Sequence, residues 1–254
     1  MAGLPLGVQL YTLRDACDKD MAGTLKKVAK IGYKAVELAG YGKLSVGDLK
    51  KALTDNGLKV ASAHVGLERM ETELDRVLDE HELLGNRNVV VPYLGAERRT
   101  SADDWKQVAR SLDKAGKICH QRGFTLNYHN HDFEFKWYGN KTAWDILLEN
   151  TQAEHLKVEL DVFWTRFAGF CPACFIRQLG ERMSMVHLKD LQPGEPHRFA
   201  NVGKGILDIP AIIAAGKKAH VKAYLVEQDD CYGQDPFEAI RVSYRYLAKM
   251  GFVG

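Results

Sequence analysis

The chain has 254 residues, a length that suits one (β/α)8 barrel or two small domains. Hydrophobic residues make up 46% and charged residues 27%, ordinary proportions that argue against a disordered or fibrous protein. The 35 basic and 33 acidic side chains give a formal net charge of +2, and no Lys or Arg run is long enough to neutralise a track of phosphates. Nucleic acid is therefore not expected as a partner.

The N-terminal segment MAGLPLGVQLYTLRD has neither the positive n-region nor the apolar h-region of a secretory signal peptide. No segment elsewhere approaches the roughly 20 apolar residues that a membrane-spanning helix needs. We expect a cytoplasmic protein without a membrane partner. The sequence leaves a homo-oligomer open, since nothing in it fixes the oligomeric state.

The five cysteines are an odd number in a chain large enough to fold without disulfides, so we expect free thiols. Cys171 and Cys174 form a C-x-x-C motif. The motif lacks a second C-x-x-C or nearby paired histidines, and a redox pair normally opens a helix that follows a strand. A redox or zinc role for this pair is therefore not expected.

Short apolar segments recur along the chain, as buried parallel strands do. In chain order they predict strands at 7–11, 35–38, 59–64, 88–91, 125–129, 157–161, 185–189 and 224–227. Longer amphipathic segments between them predict helices at 21–31, 45–56, 70–84, 102–122, 142–149, 172–179, 210–219 and 236–249. Ser101, followed by Asp103 and Asp104, is typical of a capped helix start. Glycines fall where five of the helices should end: Gly32, Gly57, Gly85, Gly123 and Gly180.

Eight alternating strand and helix units with short connections predict parallel strands with right-handed crossovers, and eight such units close a barrel. We predict an α/β protein with one (β/α)8 TIM barrel domain over residues 1–254. An open doubly wound sheet is the alternative, but no G-x-G-x-x-G follows the first strand. The long irregular segment 191–208 is interpreted as a functional loop after the seventh strand.

Polar residues collect at or just past the ends of the predicted strands, where barrel enzymes carry their active sites. Asp161, His187 and Glu227 occupy this position on the sixth, seventh and eighth strands. Carboxylates and imidazoles that converge from separate strands are typical ligands of Mn, Mg, Co or Zn. The sequence therefore suggests one divalent metal site.

Each of these residues alone has a plain structural interpretation. An aspartate at a strand end often caps the next helix, as Asp161 would. His187 alone suits a hydrogen-bonded core histidine, and Glu227 alone suits an ion pair with a lysine. The metal hypothesis depends on their shared position on consecutive strands.

Several motifs in fixed order resemble the xylose isomerase-like barrel superfamily, in its sugar phosphate isomerase/epimerase branch. They cover nearly the whole chain: GVQLYTLRD, AVEL, SAH, NYHNHDFEF, ELDVFW, HLKD, VGKG with a later Asp, and VEQD. The resemblance implies a TIM barrel that holds a divalent metal through Asp161, His187 and Glu227. Manganese is the first candidate, with magnesium, cobalt or zinc as the others.

The sequence departs from the family pattern at the end of the fifth strand. The family usually has a glutamate there, as in E-N-H-D, whereas this chain has His129 in H-N-H-D. Either His129 binds the metal directly, or Glu134 reaches back and supplies the missing carboxylate. The sequence leaves both open.

The resemblance further implies a carbohydrate substrate whose adjacent hydroxyl and carbonyl groups chelate the metal, and an enediolate formed when a carbon-bound proton leaves. Glu227 is predicted as one base. The second acid/base group is predicted among His129, His131 and Glu134. The expected activity is isomerisation or epimerisation of a keto-sugar or sugar phosphate. No glycine-rich phosphate cradle is visible, so phosphorylation of the substrate stays open.

Further polar residues at the strand ends are predicted to contact the substrate. His64, Lys189 and Gln228 would bind hydroxyl or carbonyl oxygens, and Glu37 would orient His64 or the sugar. An aromatic platform for a sugar ring is predicted from three residues that follow catalytic strands: Trp137, Phe163 and Trp164. Solvent-exposed positions at the barrel mouth are the alternative for all of them.

Three other functions stay open. The H-x-H end of the fifth strand is similar to that of inosose dehydratases and of relatives that act on keto-glycosides, which predicts loss of water or another leaving group as the main alternative. A metal-dependent endonuclease shares this barrel, but the near-neutral charge argues against it. A sugar-binding barrel without catalysis is the third, since His129 departs from the catalytic pattern.

Overall fold

The computed structural model describes residues 6–252. Within this range eight parallel strands close into a barrel, in the order β1-β8-β7-β6-β5-β4-β3-β2. The strands are β1 (Leu6–Gln9), β2 (Ala35–Leu38), β3 (Lys59–His64), β4 (Asn88–Val91), β5 (Thr125–His129), β6 (Lys157–Asp161), β7 (Met183–Leu188) and β8 (Ala223–Val226). The predicted TIM barrel is confirmed. Its predicted extent, 1–254, includes residues 1–5 and 253–254, which lie outside the described residues.

Helices surround the barrel and connect successive strands. They are α1 (Arg14–Ile31), α2 (Val46–Asp55), α3 (Leu67–Thr72), α4 (Leu74–Leu84), α5 (Ala102–Gln121), α6 (Ala143–Glu149), α7 (Val162–Phe167), α8 (Pro172–Leu179), α9 (Ile209–Lys218) and α10 (Pro236–Lys249). The helix predicted at 70–84 is divided in two, because Glu73 leaves the helical region at φ −131° and ψ 26°. The sequence analysis missed α7. No helix within residues 6–252 is long and apolar enough to cross a membrane.

The two faces of the barrel wall differ in how far apolar side chains extend along the strands. Outward side chains pack under the helices in one large core. Inside, a small separate group that includes Val90, Met185 and Leu225 fills the lower part of the barrel. Above this plug the inward positions become polar. The barrel therefore has a packed apolar bottom and a polar upper interior.

The predicted helix ends are confirmed by their geometry. The Ser101 hydroxyl accepts a hydrogen bond from the Asp104 N–H, and the Asp104 side chain accepts one from the Ser101 N–H, which forms a capping box. At the end of α4, Gly85 has φ +74°, a conformation that glycine adopts without the strain other residues would incur.

The expectation of free thiols is wrong for Cys171 and Cys174, which form a disulfide. Cys171 caps α8, and its Sγ accepts from the Cys174 N–H, so one helical turn brings the two side chains together at a Cα–Cα distance of 5.2 Å. The pair does open a helix, although this helix follows α7 and not a strand. The other cysteines are free: Cys17, Cys119 and Cys231.

Candidate active site

The carboxyl ends of β5 to β8 bring four predicted metal ligands together. His129 and Asp161 are the last residues of β5 and β6, and His187 lies opposite Asp161 in the register of β6 and β7. Glu227 directly follows β8, and its N–H donates to the Leu188 carbonyl. We call these four residues the rim cluster: His129, Asp161, His187 and Glu227.

The rim cluster is compact and buried. One ligand atom from each residue lies within 4.8 Å of those from the other three. His187 Nδ1 is 2.8 Å from Glu227 Oε2, and His129 Nε2 is 3.8 Å from Asp161 Oδ2. None of the four residues is more than 4% exposed, so water cannot freely solvate their charges. Such a set requires a cation or a proton within it.

Lys189 supplies one positive charge beside this cluster. Its Nζ lies 3.0 Å from Asp161 Oδ2, 2.8 Å from Glu227 Oε2 and 2.5 Å from Asp229 Oδ1. Burial acts to lower the pKa of Lys189, but the three carboxylates raise it well above its ordinary value. The ammonium therefore stays protonated and serves as a fixed hydrogen-bond donor.

A second polar group, which we call the inner cluster, adjoins the rim cluster: Glu37, His64 and Glu159. His64 Nε2 is 3.2 Å from Glu159 Oε2 and 3.3 Å from Glu37 Oε2. Both carboxylates are completely buried. Glu159 precedes Asp161 by two residues, so it points to the same barrel interior one layer deeper. His64 and Glu159 also form, with His129 and His187, a second group of metal-ligand geometry.

The electrostatic environment favours a neutral imidazole at His129 and a positively charged imidazole at His187. Burial, with the nearby positive charge of His187, lowers the pKa of His129 to about 3. Burial alone would also lower the pKa of His187, but the carboxylates around it, Glu159 first, raise it well above its ordinary value. Burial raises the pKa of Asp161 to about 6, although Lys189 opposes the shift.

The rim cluster fits a divalent ion by its donor set. Two imidazole nitrogens and two carboxylates are ligands that Mn, Zn and Co accept. The Asp161 Oδ2 atom is buried and lacks a hydrogen-bond donor of good geometry among the described residues, although the Lys189 ammonium is near. A ligand atom held in this way is available to a metal.

A cavity of about 530 Å³ opens above the rim cluster, within the size range of small-molecule sites. Its polar wall includes His64, His131 and Lys189, together with His129, Glu227 and Asp229. Its apolar wall includes Tyr11 and Tyr93, whose side chains are 44% and 50% exposed. The cavity thus combines a charged floor with aromatic sides.

Other predicted site residues lie elsewhere. Glu134 is buried, and its two oxygens accept from the Tyr128 hydroxyl at 2.6 Å and the His131 N–H at 2.7 Å. Burial raises the pKa of Glu134 to about 8. Gln228 donates its N–H to Thr12 and its side-chain amide to the Asp230 carbonyl. Neither residue belongs to the rim cluster or lines the cavity.

None of the three aromatic residues predicted as a platform lines the cavity. The Phe163 ring stacks on the Phe199 ring, with their centroids 4.1 Å apart. Trp137 lies on a short two-stranded ribbon and is 60% exposed. The centroids of the Trp164 and His131 rings are 5.4 Å apart. Glu37 is fully buried and is closer to His187 than to the cavity.

Four residues of the site were not predicted from the sequence: Tyr11, Tyr93, Glu159 and Asp229. The spacing of Glu159 from Asp161 was a usable signal, because residues two apart on a strand share a face. Asp229 follows Glu227 at the same spacing, but beyond the strand, where the rule does not apply. Tyr93 lies in the loop after β4, where the sequence has no distinctive motif.

This fold and site define a class of (β/α)8 barrels in which carboxylates and imidazoles converge at the carboxyl ends of the strands. The chain belongs to the xylose isomerase-like TIM barrel family, whose sequence model matches residues 25–249. The family resemblance inferred from the motifs is therefore confirmed.

One curated relative and two solved structures show which proteins the chain is similar to. An inosose dehydratase of Geobacillus kaustophilus (strain HTA426) is 24% identical over 89% of this chain and 84% of its own length. A sugar phosphate isomerase/epimerase of Parabacteroides distasonis ATCC 8503 is 27% identical, with a TM-score of 0.88 over 100% of this chain and 96% of that one. The IOLI protein, solved with a bound zinc atom, has the same fold at 16% identity and a TM-score of 0.73, with 97% of each chain covered. Two of these three proteins have enzyme names, an inosose dehydratase and a sugar phosphate isomerase/epimerase.

Proposed function

We propose that the protein is a divalent-metal-dependent enzyme that removes a carbon-bound proton next to the carbonyl group of a keto-sugar or related cyclic ketone. The observation that supports this best is the buried rim cluster at the floor of a cavity with aromatic walls. A divalent ion bound there supplies Lewis-acid stabilisation of the negative charge that develops on the substrate oxygens. His129, Asp161, His187 and Glu227 would hold it.

Glu227 is the proposed base, since it lines the cavity and is buried. Burial acts to raise its pKa, but the charges of Lys189 and His187 hold the pKa well below the ordinary value. The carboxylate is therefore ionised and able to accept a proton. Lys189, which also lines the cavity, is the proposed hydrogen-bond donor to a substrate oxygen.

Return of the proton, as in an isomerase or epimerase, is the first candidate outcome, and the Parabacteroides relative supports it. Loss of water is the second, and a specific feature favours it. An epimerase needs acid/base groups on both faces of the substrate, but His129 replaces the family's glutamate and Glu134 faces away from the cavity. Burial lowers the pKa of His131 to about 2, so this imidazole is neutral and has no acidic proton to deliver to the second face of the substrate. The inosose dehydratase relative supports the same outcome.

The proposal includes candidate metal ions and residues that would contact the substrate. Manganese is the first ion to test, with magnesium and cobalt as further candidates, and the zinc-bound IOLI structure adds zinc. Tyr11 and Tyr93 would stack on the sugar ring, and His64 would bind a hydroxyl group. Phosphorylated and free sugars both belong in the test.

The test is incubation of the metal-loaded protein with ketoses, keto-sugars, sugar phosphates and inososes in D2O. Deuterium at a substrate carbon without loss of water would establish the isomerase or epimerase, whereas an unsaturated product would establish the dehydratase. Glu227→Gln should abolish either result, since it removes the base, and Glu80→Gln on α4 serves as the matched control. A metal-loaded protein that exchanges no proton in any of these substrates would contradict the proposal.

A further inference from the structure

The imidazole of His187 lies between the two clusters. Its Nδ1 is 2.8 Å from Glu227 Oε2 in the rim cluster. Its Nε2 is 2.6 Å from Glu37 Oε2 and 3.0 Å from Glu159 Oε2 in the inner cluster. The ring is completely buried, so carboxylates and not water face both of its nitrogens.

The imidazole of His129 also has one nitrogen towards each cluster. Its Nε2 faces Asp161, whereas its Nδ1 lies 3.3 Å from Glu159 Oε2. Among the described residues Nδ1 has no hydrogen bond of good geometry, which leaves Glu159 as its nearest acceptor. His129 and Glu159 are direct partners in the register of β5 and β6, so the barrel wall itself sets this approach.

The inner carboxylates are themselves held in place. The Gln9 side-chain amide donates to Glu37 Oε2 at 2.7 Å, and Gln9 is the register partner of Glu37 across β1 and β2. His64 contacts Glu37 and Glu159 together. A rigid acceptor of this kind determines the tautomer of the histidine that it contacts.

We propose that Glu37 and Glu159 are positioning residues, which accept the inner N–H of His187 and His129 and so present His187 Nδ1 and His129 Nε2 to a divalent ion in the rim cluster. This inference rests on the proposed metal dependence. A neutral imidazole has one N–H and one free nitrogen, and only the free nitrogen binds a metal. An acceptor on the inner side therefore selects the outer nitrogen for the metal.

The arrangement also implies that only one cluster holds an ion at a time. An ion in the second group of ligand geometry would use the opposite nitrogens, His187 Nε2 and His129 Nδ1, with His64 and Glu159. Two ions at once would require both rings to lose both protons, which neutral imidazole does not do readily. The two positions are therefore distinguishable by which nitrogens remain protonated.

Long-range proton–nitrogen NMR spectra of histidine-labelled, zinc-loaded protein test this directly. We expect His187 protonated at Nε2 and metal-bound at Nδ1, and His129 protonated at Nδ1 and metal-bound at Nε2. The opposite pattern would overturn the proposal and place the ion in the inner cluster. If wild-type protein binds no zinc, the proposed function fails, whereas protonation of His129 Nδ1 in the metal-free protein still decides the inference.

Zinc affinity of two variants provides an independent measure. Glu37→Gln and Glu159→Gln should each weaken zinc binding by about 10- to 100-fold with unchanged stoichiometry, as loss of an outer carboxylate partner does. Glu80→Gln, on the outer helix α4, should leave the affinity unchanged, and circular dichroism checks that each variant folds. Unchanged affinity in both folded variants would refute the positioning role. Complete loss of zinc in Glu159→Gln, with retention in Asp161→Ala, would show that Glu159 is itself a ligand.

Discussion

His81 on α4 is a buried imidazole outside the barrel interior. It is 1% exposed, its Nδ1 lies 3.3 Å from the Asn86 side-chain nitrogen, and its Nε2 has no hydrogen-bond partner within the described chain. Burial lowers the pKa of His81 to about 4, although Glu80 opposes the shift. The folded protein therefore keeps this residue neutral where an unfolded chain would protonate it.

This difference predicts a pH-dependent loss of stability. Below the ordinary pKa of 6.5 the unfolded state binds a proton that the folded state takes up only near pH 4, so stability falls as the pH decreases between these values. His81→Gln should remove about 1–3 kcal/mol of that loss, measured by urea unfolding at about pH 7.5 and about pH 5. His120→Gln, an exposed histidine on α5, is the control. Parallel pH profiles for wild type and His81→Gln would show that burial does not shift this group.

At the residue scale, the sequence predicted the rim cluster but not its surroundings. Asp161, His187 and Glu227 were recognisable because strand ends of a barrel meet at one face. The choice between His129 and Glu134 required the fold, since a 3-10 turn at Phe133–Phe135 directs Glu134 towards Tyr128. The role of Glu159 required the register between β5 and β6, which no single sequence shows.

At the element scale, Asp190 organises the loop after β7. Its Oδ2 accepts from the N–H groups of Gly203 and Gly205, and its Oδ1 accepts from those of Leu191 and Leu207. A Cβ on Gly205 would lie 2.3 Å from Asp190 Oδ1, so glycine is required for the close approach. One buried carboxylate thus accepts four hydrogen bonds from the backbone of the predicted functional loop.

Asp190→Ala should free these N–H groups and destabilise the protein by about 3 kcal/mol. Hydrogen exchange should accelerate first at Gly203, Gly205 and Leu207. Asp208→Ala is the matched control in the same loop, because Asp208 caps α9 through the Ala211 N–H and should affect only that helix end. Equal exchange at Gly203 in wild type and Asp190→Ala would contradict the assigned role.

Most helix and strand boundaries followed from hydrophobic periodicity and caps. The failures have physical causes. Helix α7 is only six residues long. Its N-cap is Asp161, whose side chain accepts from the Trp164 N–H, so the cap is also a proposed metal ligand. The break at Glu73 leaves the amphipathic pattern intact on both sides, and periodicity alone therefore predicts one helix.

At the scale of the whole molecule, helix α5 packs directly onto the segment that leads into β6. A Cβ on Gly116 would lie 2.0 Å from the His155 carbonyl oxygen. Asp113 on the same helix accepts from the Gln152 N–H and lies 2.9 Å from His155 Nδ1. This contact fixes the start of the strand that carries Glu159 and Asp161.

Gly116→Ala should destabilise the protein by about 1–3 kcal/mol, since a backbone carbonyl cannot move aside as a flexible side chain does. Gly47→Ala provides the opposite control on exposed α2, where the nearest atom would be 3.9 Å away. That substitution should stabilise the protein by roughly 0.5–1 kcal/mol. Thermal unfolding of both variants measures the difference, and equal effects would contradict the close packing.

The barrel itself was predictable because eight alternating units specify closure. The division of its interior into an apolar plug and a polar upper half was not, because it depends on inward register around the whole barrel. The proposed metal site lies in that upper half. Its most direct test is the metal content of purified wild-type protein, Asp161→Ala and the control Glu80→Gln. We predict about one divalent ion per chain in wild type and in Glu80→Gln, and none in Asp161→Ala. Wild-type metal content in a folded Asp161→Ala variant would contradict the rim cluster as the metal site.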